Sequence, residues 1–98
     1  MLLTQHQTEQ GLLVAVCDDD VVGDTFEGDG ARLTVEEAFY AEDADTVDAD
    51  AVVEALSRAA IANIVGTEAV ELAIEHEIVD EGAVLDLDGT RHAQLLRL

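Results

Sequence analysis

Cys17 closes an apolar run, Leu12-Leu13-Val14-Ala15-Val16, and Asp18-Asp19-Asp20 follow it at once. A thiol attacks as the thiolate, which forms near neutrality only beside a base or in a positive field. Adjacent carboxylates act the other way, so a small buried thiol is the stronger reading. The rival is a pocket in which His92 supplies a base and Asn63 an amide around Cys17, the arrangement of a small enzyme or ligand-binding protein. The three aspartates invite a magnesium or calcium site. Counted as a calcium loop from Asp18, Asp20 and Gly23 fit positions three and six. Val22 stands at position five and Asp29 at position twelve, no helix precedes the loop, and no metal is expected.

Arg91, His92 and Gln94 place three scarce hydrogen-bonding side chains within four residues, with Arg97 close behind. Together they could bind phosphate, carboxylate or an RNA backbone. Strand alternation opposes this, because Arg91 and Arg97 then point away from His92 and Gln94 unless a bulge intervenes. The plainer account is an exposed strand paired with the acidic surface. Asn63 lies among apolar residues and needs partners, for which a structural hydrogen bond suffices. His6 and His76 read as surface or boundary residues without ligand spacing. Gly28-Asp29-Gly30 is half a dinucleotide fingerprint, without the third glycine. With no phosphate-binding loop, no paired-cysteine zinc motif and no Gly-x-Ser-x-Gly elbow, no cofactor and no catalytic residue are assigned.

Elements must position these residues. Leu12–Cys17 reads as a strand buried on both faces, partnered by Leu2–Gln7 across a turn at Thr8–Gly11. Asp18–Gly30 reads as loop, Arg32–Val35 as a short strand, Glu36–Ala41 as a helical turn, and Ala41–Asp48 as an acidic connector. From Ala49 to Val65 a helical period places Val52, Val53, Leu56, Ala60 and Ile64 on one face, with Asp48 or Asp50 as cap. Gly66 ends that helix and Thr67 caps the next, so two consecutive helices meet at a tight corner. Asp88-Gly89 between Val84–Leu87 and Thr90–Leu98 predicts a C-terminal β-hairpin with a type I′ turn. The sum is one small α+β domain over residues 1–98, with a mainly antiparallel sheet of four to five strands packed by two helices.

The chain has no lysine, four arginines (Arg32, Arg58, Arg91, Arg97) and 23 acids, for a net charge of −19 over 98 residues. Such acidity also marks disordered chains, but 49% hydrophobic content and a mean hydropathy of +0.16, clustered periodically, require a core. Self-repulsion at ordinary ionic strength falls away when molar salt shortens the Debye length to about 3 Å. A folded protein of a salt-accumulating cytoplasm is therefore expected. One cysteine excludes an internal disulfide and suits a reducing compartment. The first residues carry no basic, apolar leader and no stretch is long enough for a membrane span, so a cytoplasmic protein is expected.

Read together, several segments resemble a small archaeal family known as domain of unknown function 424. They are Val14-Ala15-Val16-Cys17-Asp18 with Gly23 and Phe26, Ile61-Ala62-Asn63-Ile64-Val65-Gly66, Ala69 to Glu75, Asp88-Gly89, and His92-Ala93-Gln94. The resemblance runs nearly end to end and implies an archaeal cytosolic protein without an assigned activity. Two positions depart from it: Asp24 stands where a basic residue is expected in non-halophilic relatives, and Glu77 where the resemblance implies a helix-ending glycine. The leading expectation is a non-catalytic binding or accessory module with a macromolecular partner, RNA or the ribosome being the candidates by analogy. Its tentative surface is Cys17, Asp18, Asn63, Arg91, His92, Gln94 and Arg97. A third reading is a homodimeric structural subunit pairing through the Leu95–Leu98 edge.

Overall fold

The computed structural model describes residues 1–28 and 30–97. Eight strands and three helices follow in the order β1 (Leu2–Thr8), β2 (Gly11–Cys17), β3 (Thr25–Gly28), β4 (Ala31–Thr34), α1 (Glu37–Tyr40), β5 (Asp45–Thr46), α2 (Ala49–Arg58), β6 (Ile61–Val65), α3 (Thr67–Glu75), β7 (Leu85–Leu87) and β8 (Thr90–Leu96). Six strands form one sheet in the order β5-β1-β2-β6-β8-β7, and β3-β4 form a separate hairpin. The fold is α+β, as composition and pattern predict, but the large sheet is mixed: β2 and β6 are parallel and the other neighbours antiparallel. Position twelve of the rejected calcium loop, Asp29, and the last residue of the Leu95–Leu98 edge lie outside the described residues.

The main departure from the expected fold is the segment after α2. The predicted helix Ala49–Val65 stops at Arg58, and Ala59 is already extended at φ −69, ψ 137. Ile61–Val65 is instead the central strand β6, hydrogen-bonded between β2 and β8. The helices are therefore separated by a strand. Ala60 and Ile64 satisfy a helical period and a strand period alike, but a β-branched run flanked by two strands gains more from the sheet ladder. Asp48 caps α2 as expected, its Oδ1 accepting from the Ala51 amide at 3.0 Å.

Both α2 and α3 cover one face of the sheet. Val52 and Leu56 of α2 and Val70 and Ala73 of α3 are buried with Leu3, Val14, Val16, Ala62, Ile64 and Ala93. The opposite face is only half covered. There the β3–β4 and α1 excursion lays Val21, Val35 and Tyr40 over Ala15, Cys17 and Val65. The Asp88 amide donates to the Glu27 carbonyl at 2.8 Å, tying the excursion to the C-terminal hairpin. That hairpin turn is not type I′, since Gly89 is at φ +96 while Asp88 has no positive φ. α3 ends as a Schellman motif, with Ile78 N–H donating to the Ala73 carbonyl and Glu77 N–H to that of Ile74. Glu77 occupies its left-handed position at φ 57, a conformation that glycine takes without steric cost.

Candidate functional site

Cross-strand register sorts the candidate residues into rows. Leu2, Cys17, Val65, His92 and Leu85 form one row on the face away from α2 and α3. Thr4, Ala15, Asn63 and Gln94 form the next, and His6, Leu13, Ile61 and Leu96 the third. Cys17, Asn63, His92 and Gln94 thus share a face. Arg91 and Arg97 are on the other, as unbroken alternation along β8 requires.

The first row is closed at its centre, where Cys17 and Val65 are buried, with Leu2, Leu85 and His92 partly exposed at its flanks. Cys17 is fully buried, and burial together with Asp18 and Asp19 pushes its thiol from 9.0 up to about 11. His92 is two strand spacings away, about 10 Å, so it is no partner for the thiol. Burial lowers the His92 pKa, and its buried Nε2 has no hydrogen-bond partner among the described residues. A nucleophile–base pair is not assembled.

Asp18 leaves the sheet just past Cys17. Its carboxylate accepts from the α3 amides of Glu68 (Oδ2, 3.0 Å) and Ala69 (Oδ1, 2.9 Å). It therefore caps α3 from 50 residues away, the role sequence reading assigned to Thr67. The cap residue by position is Gly66, at φ +118, and a Cβ there would overlap the Asp18 carboxyl. Burial raises the Asp18 pKa despite these two bonds. Asp19 pairs with the Met1 amino group at 3.2 Å. Two of the three clustered aspartates are thus engaged within the chain.

The two C-terminal arginines are also engaged. Arg91 Nε meets Asp86 at 2.7 Å, with Glu81 at 3.8 Å. Arg97 Nη1 donates to the carbonyls of Leu56 (2.9 Å), Ala59 (3.2 Å) and Ser57 (3.3 Å), capping the C-terminus of α2. The anion-binding cluster of Arg91, His92, Gln94 and Arg97 is not brought together.

The Asn63–Gln94 part of the second row, beyond the buried Thr4 and Ala15, and the third row differ from all this. Gln94 donates to the Asn63 carbonyl at 2.9 Å across β6–β8, an exposed amide pair. Leu13 and Ile61 are partly exposed, and Leu96 is 66% exposed. No acid and no arginine stands in either row, in a chain where 23 of 98 residues are acidic. Sequence reading singled out Asn63 and Gln94, placed His6 at the surface and Leu96 in the Leu95–Leu98 edge, and missed Leu13 and Ile61. The signal for the row was the absence of acid from Met1 to Thr8, Leu12 to Cys17, Ala59 to Thr67 and Thr90 to Leu96. A separate groove of about 230 Å³ is lined by Met1, Ala49, Leu72 and three glutamates of α3, Glu68, Glu71 and Glu75. No helix among the described residues is long and apolar enough to cross a membrane.

A mixed sheet covered by helices on one side and half open on the other defines a small α+β domain whose free surface is a sheet face. The chain belongs to the DUF424 family, described as a protein of unknown function, whose model matches residues 6–98. It is similar to an uncharacterized conserved protein from the archaeon Methanopyrus kandleri, known from a crystal structure. The two are 26% identical with a TM-score of 0.71, over 99% of this chain and 93% of that one. Comparison with curated proteins returned no match.

Proposed function

We propose that this is a non-catalytic binding module of a salt-adapted archaeal cytoplasm, presenting the open half of its sheet to a protein partner. One observation carries the reading: rows Asn63–Gln94 and His6–Leu13–Ile61–Leu96 are uncharged and partly apolar on an otherwise acidic surface. Exposed apolar area bounded by polar residues is where proteins dock. An acid-free face also lets a partner approach a molecule of charge −19 without meeting carboxylates directly. A protein fits better than RNA, because Arg91 and Arg97 are bonded on the opposite face and stacking aromatics are absent from these rows. Catalysis is disfavoured by the burial and raised pKa of Cys17.

The test is capture from native lysate at molar salt, comparing the wild type with the Leu13→Glu/Leu96→Glu variant and repeating both after nuclease. A protein recovered by the wild type, lost with the variant and indifferent to nuclease is the expected result. Recovery that the variant retains, or that nuclease abolishes, overturns the reading, the latter in favour of RNA.

A further inference from the structure

β1 is a seven-residue strand without a charged side chain, and most of its outer edge is bare. On that edge β5 pairs only with Leu2 and Leu3, so Thr4–Thr8 face no strand there among the described residues. Natural proteins usually protect such edges with charge, proline or a bulge. This chain has acid in abundance and places none on β1. The register also shows which backbone groups are free. The Met1 carbonyl accepts from the Val47 amide at 2.9 Å, on the β5 side. Alternation then turns the N–H and C=O of Gln5 and Gln7 outward on the same edge, while those of Thr4, His6 and Thr8 serve β2.

The free segment reads Thr4-Gln5-His6-Gln7-Thr8, the same in both directions. A palindromic strand is complementary to its own copy laid antiparallel, and a two-fold contact requires that self-complementarity. We propose that two copies of this chain pair through β1, antiparallel, about a two-fold axis at His6. Gln5 then faces Gln7 of the partner subunit, and the two exchange both backbone hydrogen bonds, as do the symmetry-related residues. His6 faces His6 of the partner subunit as a close, non-hydrogen-bonded pair. Thr4 faces Thr8 of the partner subunit, a pairing that sheets favour. The edge is consumed, so assembly stops at two. Both open faces end up on the same side of one continuous sheet.

Charge sets the condition under which this happens. Each copy carries −19, and this register brings Glu9 of the partner subunit up against the end of β5, where Asp45 already holds the position opposite Leu3. Molar salt, with its Debye length of about 3 Å, removes most of that repulsion. Pairing is therefore expected in concentrated KCl, and Glu9→Gln is expected to tighten it several-fold.

The experiment is sedimentation equilibrium of the intact chain in molar KCl, with three variants. Gln7→Pro removes one outward donor and no bond to β2, since proline is tolerated where the N–H leaves the sheet. His6→Glu sets like charges directly opposite one another on an exposed position. Each is expected to raise the dimer dissociation constant by at least about tenfold, with the helical and sheet circular dichroism of the wild type retained. His6→Cys is expected to oxidise to a covalent dimer, because a close antiparallel pair meets the Cα separation of a disulfide. A monomeric wild type at micromolar to millimolar concentration overturns the proposal. So does a dimer that His6→Glu leaves intact, or one that fails to cross-link through position 6. His6 also stands in the open-face row, so the lysate partner is read separately, by capture with the Leu13→Glu/Leu96→Glu variant, while Gln7→Pro tests the edge without touching that row.

Discussion

At their C-terminal ends β2 and β6 run into Cys17, Asp18, Val65 and Gly66; at the other end their pairing begins at Leu13 and Ile61. The first end holds the residue types that chemistry uses, and the second holds almost none. Yet every reactive group at the first end is buried or committed. The thiol is under Val21, Val35 and Tyr40, and the Asp18 carboxylate is bonded to two amides of α3. At the other end the side chains are chemically plain and their contacts are unfinished. A list of reactive residues therefore points to the structural end of this sheet, and the absence of charge points to the free one.

The contrast predicts where substitution hurts. Gly66→Ala is expected to have the largest effect. It forces an L side chain to φ +118 and drives its Cβ into the Asp18 carboxyl, so both backbone strain and cap disruption apply. A loss of about 3 kcal/mol or more is expected in denaturant unfolding at molar KCl. Asp18→Ala leaves two α3 amides without their acceptor and is expected to cost about 2 kcal/mol. Because the two residues touch, their effects should not add. In the Asp18→Ala background the overlap with the carboxyl is gone, and only the Cβ of residue 18, 2.7 Å away, still crowds the new methyl. The steric part of the Gly66→Ala penalty therefore shrinks, and a double-mutant cycle should return about 1 kcal/mol or more of coupling. Additive effects would mean that the cap and the glycine act separately, and the closed end would lose its defining feature.

The buried thiol supplies a pH test of the same end. Cys17 moves from 9.0 to about 11 on folding, chiefly by burial. Between those values the unfolded chain releases the proton and the folded chain keeps it. Stability contributed by the neutral thiol is thus complete below the lower value and is lost as pH rises through the upper one. Relative to Cys17→Ala, the wild type should lose about 2–3 kcal/mol across this window. Parallel pH profiles for the two proteins would show a thiol that solvent reaches.

How much of this was legible in the sequence depended on whether neighbours in sequence or in space decide an element. β1, β2, α1, the Asp48 cap and the C-terminal hairpin follow from local pattern, and each forms within a residue or two of its expected place. Ile61–Val65 did not, because its residues suit a helix and a strand equally and only the sheet on either side decides between them. With β6 misplaced, its pairing with β2 was invisible, and so was the Asp18 carboxylate's reach to α3. Asn63 and Gln94 were each noticed, but their hydrogen bond could not be, since it joins strands 31 residues apart. The arginines illustrate the converse. Alternation alone separated Arg91 and Arg97 from His92, and the structure added only what each guanidinium holds.

The smallest expected effect is the one that sharpens the comparison most. Leu96 is a large apolar residue near the end of β8 and is 66% exposed. Leu56, of the same type, is fully buried against the helix-covered face. Leu56→Ala should cost about 2–5 kcal/mol, the range for truncating a packed core leucine. Leu96→Gln removes the apolar surface and keeps the strand's length and pairing, so a change within about 0.5 kcal/mol is expected. A side chain whose loss leaves the isolated chain unaffected is free to serve the docking surface proposed for the open half. If Leu96→Gln instead destabilises the chain as a core substitution would, the open half is part of the folding core. The division between a finished end and an unfinished one would then disappear.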